Sequence, residues 1–261
     1  MDDPIFILFA VAGFVLLILW LVMLTVPTHH LHHRLRGRVA LAAALAASIA
    51  GMVWVLRHWA SFDVVGDPYY IVGYAALGIV WITCSVLLQA ALVDVRFQQD
   101  VRDRNNFAAA IALGGLLIAN AAAFAGANVG DGPGWWVVLF SAIVSTAAVT
   151  AAVWLLAAFT DAEERITIDH DYGAAIRFAA IAIAVGVVAG RGAAGNWVSV
   201  DATVHDFAAV AWPIVPAIAA ALVYERATPP IYAEASPLRS YAFAAAAVVL
   251  AYVYVSGLRA P

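Results

Sequence analysis

The feature that most constrains this chain is a series of apolar runs, each about 20 residues long, separated by short polar links. A helix of about 20 mostly apolar residues can cross the hydrocarbon core of a bilayer, where it satisfies all of its own backbone hydrogen bonds. The runs predict an all-α, polytopic transmembrane helix bundle of about eight spans. We place them at about Ile5–Thr25, Val39–Trp59, Tyr70–Leu92, Phe107–Asn128, Trp135–Phe159, Gly173–Gly190, Phe207–Tyr224 and Leu238–Leu258.

Composition agrees with lipid as the main surroundings of this single membrane domain. Of the 261 residues, 65% are hydrophobic and 11% are charged, whereas a soluble domain has roughly 45–50% apolar residues. The net charge of −4, without a run of basic residues, argues against nucleic acid as a partner. The chain has no lysine, which excludes a retinal or pyridoxal Schiff base, and its single cysteine cannot form an intramolecular disulfide.

Arginine is concentrated in alternate links, and this asymmetry predicts the orientation. Positive residues in short links are retained on the cytoplasmic side. Apart from Arg191, the links after the second, fourth and sixth runs carry no arginine, so both termini are expected to face away from the cytoplasm. The other links carry Arg34, Arg36, Arg38, Arg96, Arg102, Arg104, Arg165, Arg226 and Arg239.

Two stretches of the chain look like copies of each other. QQDVRDRNNFAAAIALGG begins at Gln98, and ERITIDHDYGAAIRFAA begins at Glu164. Superposing Asn106 on Asp171 needs a shift of about 65 residues, a period long enough for one helical hairpin and its connection. We therefore expect four hairpin repeats that enter the membrane in the same direction, at about 5–60, 70–128, 135–192 and 206–258.

The polar links of the two central hairpins supply the first candidate site. Asn106 and Asp171 stand where a helix enters the membrane, and there an Asn or Asp side chain accepts a hydrogen bond from the first helical turn. An alternative is a polar ring at a cytoplasmic mouth, or a surface that binds a partner. Its candidate residues are Asp100, Asp103, Asn105, Asn106, Glu163, Glu164, Asp169 and Asp171.

The sequence HHLHH is a candidate metal or haem site, because imidazole binds transition metals. Its members are His29, His30, His32 and His33. The cluster lacks a nearby carboxylate, and the arginines that follow it would repel a cation. The alternative is an interfacial segment that adds to the positive charge of its link.

Polar residues inside the apolar runs are the candidates for a solute pathway: Asn120, Ser145, Thr146 and Arg177. Such groups also hydrogen-bond neighbouring helices, and Arg177 is expected to extend its guanidinium to the cytoplasmic interface. Gly186 and Gly190 form a GxxxG pair that favours close helix packing. Pro213 and Pro216 are expected to kink or break the seventh helix. No catalytic motif supports an enzyme.

The central repeats resemble the YjfL-like family of bacterial inner-membrane proteins, a family of unknown function built from tandem two-helix units. The resemblance covers roughly Tyr70 to Asn196. It implies a bacterial inner-membrane location and a tandem two-helix fold, and it implies no activity. It rests on Asp100, Asn105, Asn106, Ala108 to Ala110, Gly114 and Gly115, echoed by Glu163, Glu164, Asp171 and Gly173 to Ala175.

Three functions remain open at this point. The leading hypothesis is a channel- or transporter-like module for a small solute or ion, which could be a homo-oligomer. The second is a non-transporting membrane subunit or scaffold that binds a partner through its charged cytoplasmic links. The third is a haem or metal redox protein that uses the histidine cluster.

Overall fold

The computed structural model describes residues 4–26, 35–227 and 237–258. In this part of the chain the long apolar runs are helices, which confirms the predicted all-α bundle. The long helices are α1 (Pro4–Thr25), α2 (Arg36–His58), α4 (Pro68–Leu92), α5 (Phe107–Ala127), α6 (Trp135–Phe159), α8 (Tyr172–Ala193), α9 (Val200–Ala211), α10 (Ile214–Ala227) and α11 (Pro237–Gly257). The links add α3 (Phe62–Gly66), a π-helical segment (Phe97–Asp103) and α7 (Ala162–Thr167).

Among the described residues, seven helices are long and apolar enough to cross a membrane. The pair α9 and α10 bends by 45° and raises the number to eight if it forms one span. The bend lies at Trp212 and Pro213, between the two helices, because a proline has no N–H to donate and its ring crowds the preceding turn. The expected break of the seventh helix is confirmed, and the chain is a multi-pass membrane protein.

The links gather at two ends of the bundle, which we name by the direction of α1. At the first end, where α1 begins, Ala60 pairs with Val129, and the Gly195 N–H donates to the Val129 carbonyl at 2.9 Å. At the second end, Asn106 Nδ2 donates to the Ile166 carbonyl at 2.6 Å. The second end therefore holds the link between α4 and α5 and the link between α6 and α8.

The four helices that begin at the second end pack side by side in the order α2, α5, α8, α11. Neighbours run parallel, since their matching ends meet: Gly37 lies against Ala110, and Gly173 lies against Ser240. The helices that begin at the first end make a second series of contacts, α1 with α4, α4 with α6, and α6 with α9 and its continuation α10. Helices α1 and α11 are the least buried spans and expose apolar side chains to lipid.

The closest helix contact joins α5 to α8, the two most buried spans. Small residues permit this approach, because a Cβ at Gly186 would overlap the Ala119 backbone and one at Gly190 would overlap the Ala122 carbonyl. Gly126 likewise lies against the Gly190 backbone. The GxxxG pair therefore packs within the chain, where the small residues let the two backbones approach closely and van der Waals packing stabilises the helix contact.

Candidate functional site

The candidate site is built at the second end, from two links that fold in the same way. Asn106 Oδ1 accepts from the Ala109 N–H at 3.1 Å, and Asp171 Oδ1 accepts from the Ala174 N–H at 3.1 Å. The expected helix caps are thus confirmed. The residue before each cap has a positive φ, 53° at Asn105 and 55° at His170, in the left-handed region that non-glycine residues seldom adopt.

The first link is tied down by two buried polar side chains. Asp100 accepts from the Arg96 N–H at 2.7 Å and pairs with Arg104 at 3.2 Å. Asn106 caps α5 and also donates to the Ile166 carbonyl of the second link. Because the hydrogen-bonding groups of these side chains are engaged in this way, Asp100 and Asn106 hold the link in shape.

The second link forms a buried ion cluster with α10. Arg165 Nη2 donates to Asp171 Oδ2 at 2.6 Å, and its Nη1 donates to Glu225 Oε2 at 2.9 Å. Burial alone would raise the pKa of Asp171, but the hydrogen bonds from Arg165 and the Ala174 N–H outweigh burial and lower it below its usual range. The sole arginine of this link is thereby turned into the bundle.

Arg177 completes the cluster, which corrects the expectation that it extends to the interface. Its Nε donates to Glu225 Oε1 at 2.5 Å, its Nη2 to Glu225 Oε2 at 2.8 Å, and its Nη1 to Ser240 Oγ at 2.5 Å. The guanidinium also lies 5.5 Å from the centre of the Tyr224 ring. A carboxylate one helix away offered Arg177 a partner inside the bundle, so no exposure to water was needed.

The cluster is electrically balanced, with two guanidinium groups and two carboxylates. It connects α7, α8, α10 and α11 through side chains that are mostly buried, since Arg165, Arg177 and Glu225 are 4%, 5% and 12% exposed. Charges in a low-dielectric region are tolerated only when they are paired and hydrogen-bonded. The arrangement can therefore hold four helices together, but it offers no free charge for catalysis.

The polar residues deeper in the bundle bind each other. Asn120 Nδ2 donates to Gln89 Oε1 at 2.7 Å, and Gln89 Nε2 donates back to Asn120 Oδ1 at 3.1 Å and to Thr150 Oγ1 at 3.0 Å. Thr146 Oγ1 accepts from the Trp81 indole at 2.9 Å. Both amide side chains are fully buried.

Ser145 is also fully buried, and its hydroxyl lies 3.2 Å from the Ala123 carbonyl. Three of the four pathway candidates, Asn120, Ser145 and Thr146, therefore lie between helices with their polar groups engaged. The fourth, Arg177, belongs to the ion cluster described above.

The remaining candidates of the links are exposed: Asp103 on the first link, and Glu163, Glu164 and Asp169 on the second. Asp161 adds a further exposed carboxylate next to α7, and Asn105 is half-buried. Because Arg165 points inward, the outward surface of the second link is acidic.

The histidine cluster His29, His30, His32 and His33 lies outside the described residues. Within the described ranges, no group of three or more His, Cys, Asp or Glu side chains is placed to hold a metal ion.

Sequence reasoning missed Glu225 and did not connect Gln89 with Asn120. Glu225 stands at the end of an apolar run, where a charged residue is ordinary, and its partner Arg177 is 48 positions away. The available signal was an arginine one turn inside an apolar run, which requires a counter-charge on some neighbouring helix.

The chain is similar to a known protein family over part of its length. Residues 63–192 match the family described as Domain of Unknown Function (DUF350), a stretch that runs from α3 to the end of α8 and contains both capped links. Comparison with curated proteins and with solved structures gives no match. The part of this chain that carries the buried α5–α8 contact and most of the polar core is thus similar to a family whose function is unknown.

Proposed function

We propose that this protein is a non-transporting membrane subunit or scaffold that binds a partner through the exposed charges of its second end. In this proposal the second end faces the cytoplasm, because nearly all of the arginines in the polar links belong to the links of that side. The resemblance of the central hairpins to bacterial inner-membrane proteins supports the same location.

The observation that carries the proposal is the mutual satisfaction of the interior polar groups. Gln89, Asn120 and Thr150 bind each other, Thr146 binds Trp81, and Arg177 is fully paired with Glu225 and Ser240. A pathway for a polar solute needs free hydrogen-bonding groups or water along its length. These side chains instead join helices, as polar groups inside membrane bundles commonly do.

The acidic surface of the second link supports the proposal that a partner binds there. Asp161, Glu163, Glu164 and Asp169 are exposed within nine residues, while Arg165 between them is buried. A rigid surface of one sign attracts a surface of the opposite sign and steers its approach. The expected partner is a protein with a basic surface.

The repeated geometry of the two links supports an origin in tandem hairpins. The caps at Asn106 and Asp171 and the positive φ values before them recur at the same spacing of 65 residues. Tandem units stack on each other because one hairpin cannot bury its packing face alone. We propose that α1 to α11 contain four such units.

A flux assay tests the non-transporting part of this proposal. Liposomes that contain the purified full chain should leak protons, potassium, sodium and chloride no faster than liposomes without protein. A flux that exceeds this background and falls in the Asn120→Leu variant would establish the transport hypothesis instead.

A binding assay tests the partner. Membranes are cross-linked, and the protein is purified with whatever it contacts. Replacement of Asp161 and Asp169 by Asn and of Glu163 and Glu164 by Gln should remove a stoichiometric partner. The control variant, Asp201→Asn with Asp206→Asn at the first end, should retain it. A partner that survives both sets of replacements refutes the acidic link as its binding surface.

A further inference from the structure

A small cavity lies at the first end, at the opposite side of the bundle from the ion cluster. It is bounded by the beginnings of α4 and α6 and by the final residues of α5 and α8, and its volume is about 60 Å³. A water molecule needs about 10–15 Å³ on this scale. The cavity therefore has room for a few waters or for one small ion with part of its hydration shell.

Two hydroxyl groups, those of Tyr74 and Ser141, line this cavity. As whole residues Tyr74 is 8% exposed and Ser141 is 4% exposed, and both line the cavity wall. Each lies six residues inside its helix, about 9 Å along the axis. A hydroxyl can donate one hydrogen bond and accept others, so these two groups are available to bind a polar molecule or ion in the cavity.

A third buried polar group on the wall is the amide of Asn128, which is 5% exposed. Its Nδ2 donates to the Phe124 carbonyl at 2.7 Å. The amide orientation fixed by this bond leaves Oδ1 as an acceptor. Together with the two hydroxyls, this amide gives the cavity several neutral oxygen atoms.

The electrostatic surroundings favour a positive occupant. The wall includes Asn128 at the end of α5 and Gly192 and Ala193 at the end of α8, and the C-terminus of a helix carries a partial negative charge. Three carboxylates, of Asp63, Asp131 and Asp206, also line the cavity, and no basic side chain does so among the described residues. Unpaired carbonyls at helix C-termini are a known means of holding cations inside membrane proteins.

We propose that this cavity binds a small monovalent cation, either an alkali ion or a protonated amine of similar size. A divalent metal ion needs carboxylate ligands that converge, and within the described ranges the acidic side chains do not form such a group. Neutral hydroxyl, amide and carbonyl oxygens, with the carboxylates further out, suit a singly charged ion instead. The site adds a ligand to the proposed scaffold and does not depend on the partner at the second end.

Thermal unfolding of the purified full chain in detergent tests this proposal. Sodium, potassium, ammonium and methylammonium chlorides are titrated at constant ionic strength, with N-methylglucamine chloride as the replacement salt. A cation that binds only the folded protein raises the unfolding temperature in a saturable way. A response to sodium or potassium alone identifies an alkali ion, and a response to ammonium or methylammonium alone identifies an amine.

The double variant Tyr74→Phe with Ser141→Ala should weaken the apparent affinity about tenfold or more, since each replacement removes a hydrogen bond to a charged ligand. The matched control is Ser145→Ala on the same helix, because the Ser145 hydroxyl bonds the Ala123 carbonyl outside the cavity. It should keep the affinity of the native protein.

Asp206→Asn provides a second variant that does not disturb packing, because this side chain is 77% exposed. It should also weaken binding, by a smaller factor. The proposal is overturned if no cation gives a saturable shift, or if the Tyr74→Phe, Ser141→Ala and Asp206→Asn replacements leave the affinity unchanged.

Discussion

Single residues at the second end show how a membrane bundle accommodates charge. Glu225 uses both carboxylate oxygens to bind two arginines, with Arg165 at 2.9 Å and Arg177 at 2.5 Å. Each arginine has a further partner, Asp171 for the first and Ser240 for the second. Since every charge has a partner, the cost of burying the cluster is offset by several short hydrogen bonds.

The first prediction concerns Glu225, which is shared by both arginines. Glu225→Ala should lower the free energy of unfolding by about 3 to 5 kcal/mol, because breaking a buried ion pair leaves uncompensated charge. The measurement is thermal or denaturant unfolding in detergent. Glu164→Gln, an exposed replacement on the same link, is the control and should change stability by about 0.5 kcal/mol or less. Equal effects of the two replacements would refute a stabilising cluster.

The second prediction concerns pH and Asp171. The pKa of this carboxyl is lowered in the folded protein by Arg165 and the Ala174 N–H, so its charged form stabilises the fold at pH values above its unfolded pKa of about 3.9. That stabilisation is lost as the pH falls through the lower, folded-state pKa. The unfolding temperature should therefore drop on acidification below about pH 4.

Asp171→Asn is the variant that isolates this effect. An Asn side chain can still cap α8, as Asn106 does for α5, but it does not titrate. The variant should be less stable at neutral pH and should lose part of the acid dependence. Asp169→Asn is the exposed control. Identical acid profiles for the native chain and Asp171→Asn would contradict this assignment.

Among single residues, the sequence alone predicts the interactions whose cause is local. The caps at Asn106 and Asp171 depend only on a side chain and the next helical turn, so a single sequence predicts them. The Arg177–Glu225 pair depends on where α10 packs, and no local pattern carries that information. Asn120 was recognised as a polar residue inside a span, but its amide partner Gln89 is 31 positions away.

At the scale of elements, the long helices begin and end close to the bounds of the predicted spans. The thickness of the membrane sets the length of an apolar run and therefore the length of the helix that the run forms. The shorter elements α3, the π-helical segment and α7 lie within the polar links, and the sequence does not predict them because five to seven residues carry too little periodicity to indicate a helix. The π-helical segment is held by Asp100, whose carboxylate accepts from the Arg96 N–H.

The third prediction tests the contact between α5 and α8. Gly186→Ala should lower the free energy of unfolding by about 1 to 3 kcal/mol, because the new Cβ overlaps the Ala119 backbone. Gly51→Ala is the matched control in α2, where nothing lies within 4 Å of the added atom. There the higher helix propensity of alanine should leave stability unchanged or raise it by about 0.5–1 kcal/mol. Stabilisation by both replacements would refute the close packing.

At the scale of the whole molecule, helices that begin at the same end stand next to each other. The order α2, α5, α8, α11 keeps their chain order, as expected if hairpins were added one after another along the chain. The arginines and the apolar runs predict that successive links lie at opposite ends of the bundle, but they do not predict the close contact between α5 and α8. Which faces meet depends on small residues distributed over two separate helices, such as Gly115 against Ala179.

The fourth prediction concerns the orientation of the molecule in the membrane. In a Cys84→Ala background, a single cysteine is introduced by Glu163→Cys at the second end or by Val198→Cys at the first end, both at exposed positions. Arginine is retained on the cytoplasmic side because translocation of positive charge is disfavoured. A membrane-impermeant maleimide should therefore label Val198→Cys in intact bacterial spheroplasts and Glu163→Cys only after permeabilisation. The reverse pattern would invert the proposed orientation, and labelling of both positions from one side would contradict the separation of the links by membrane spans.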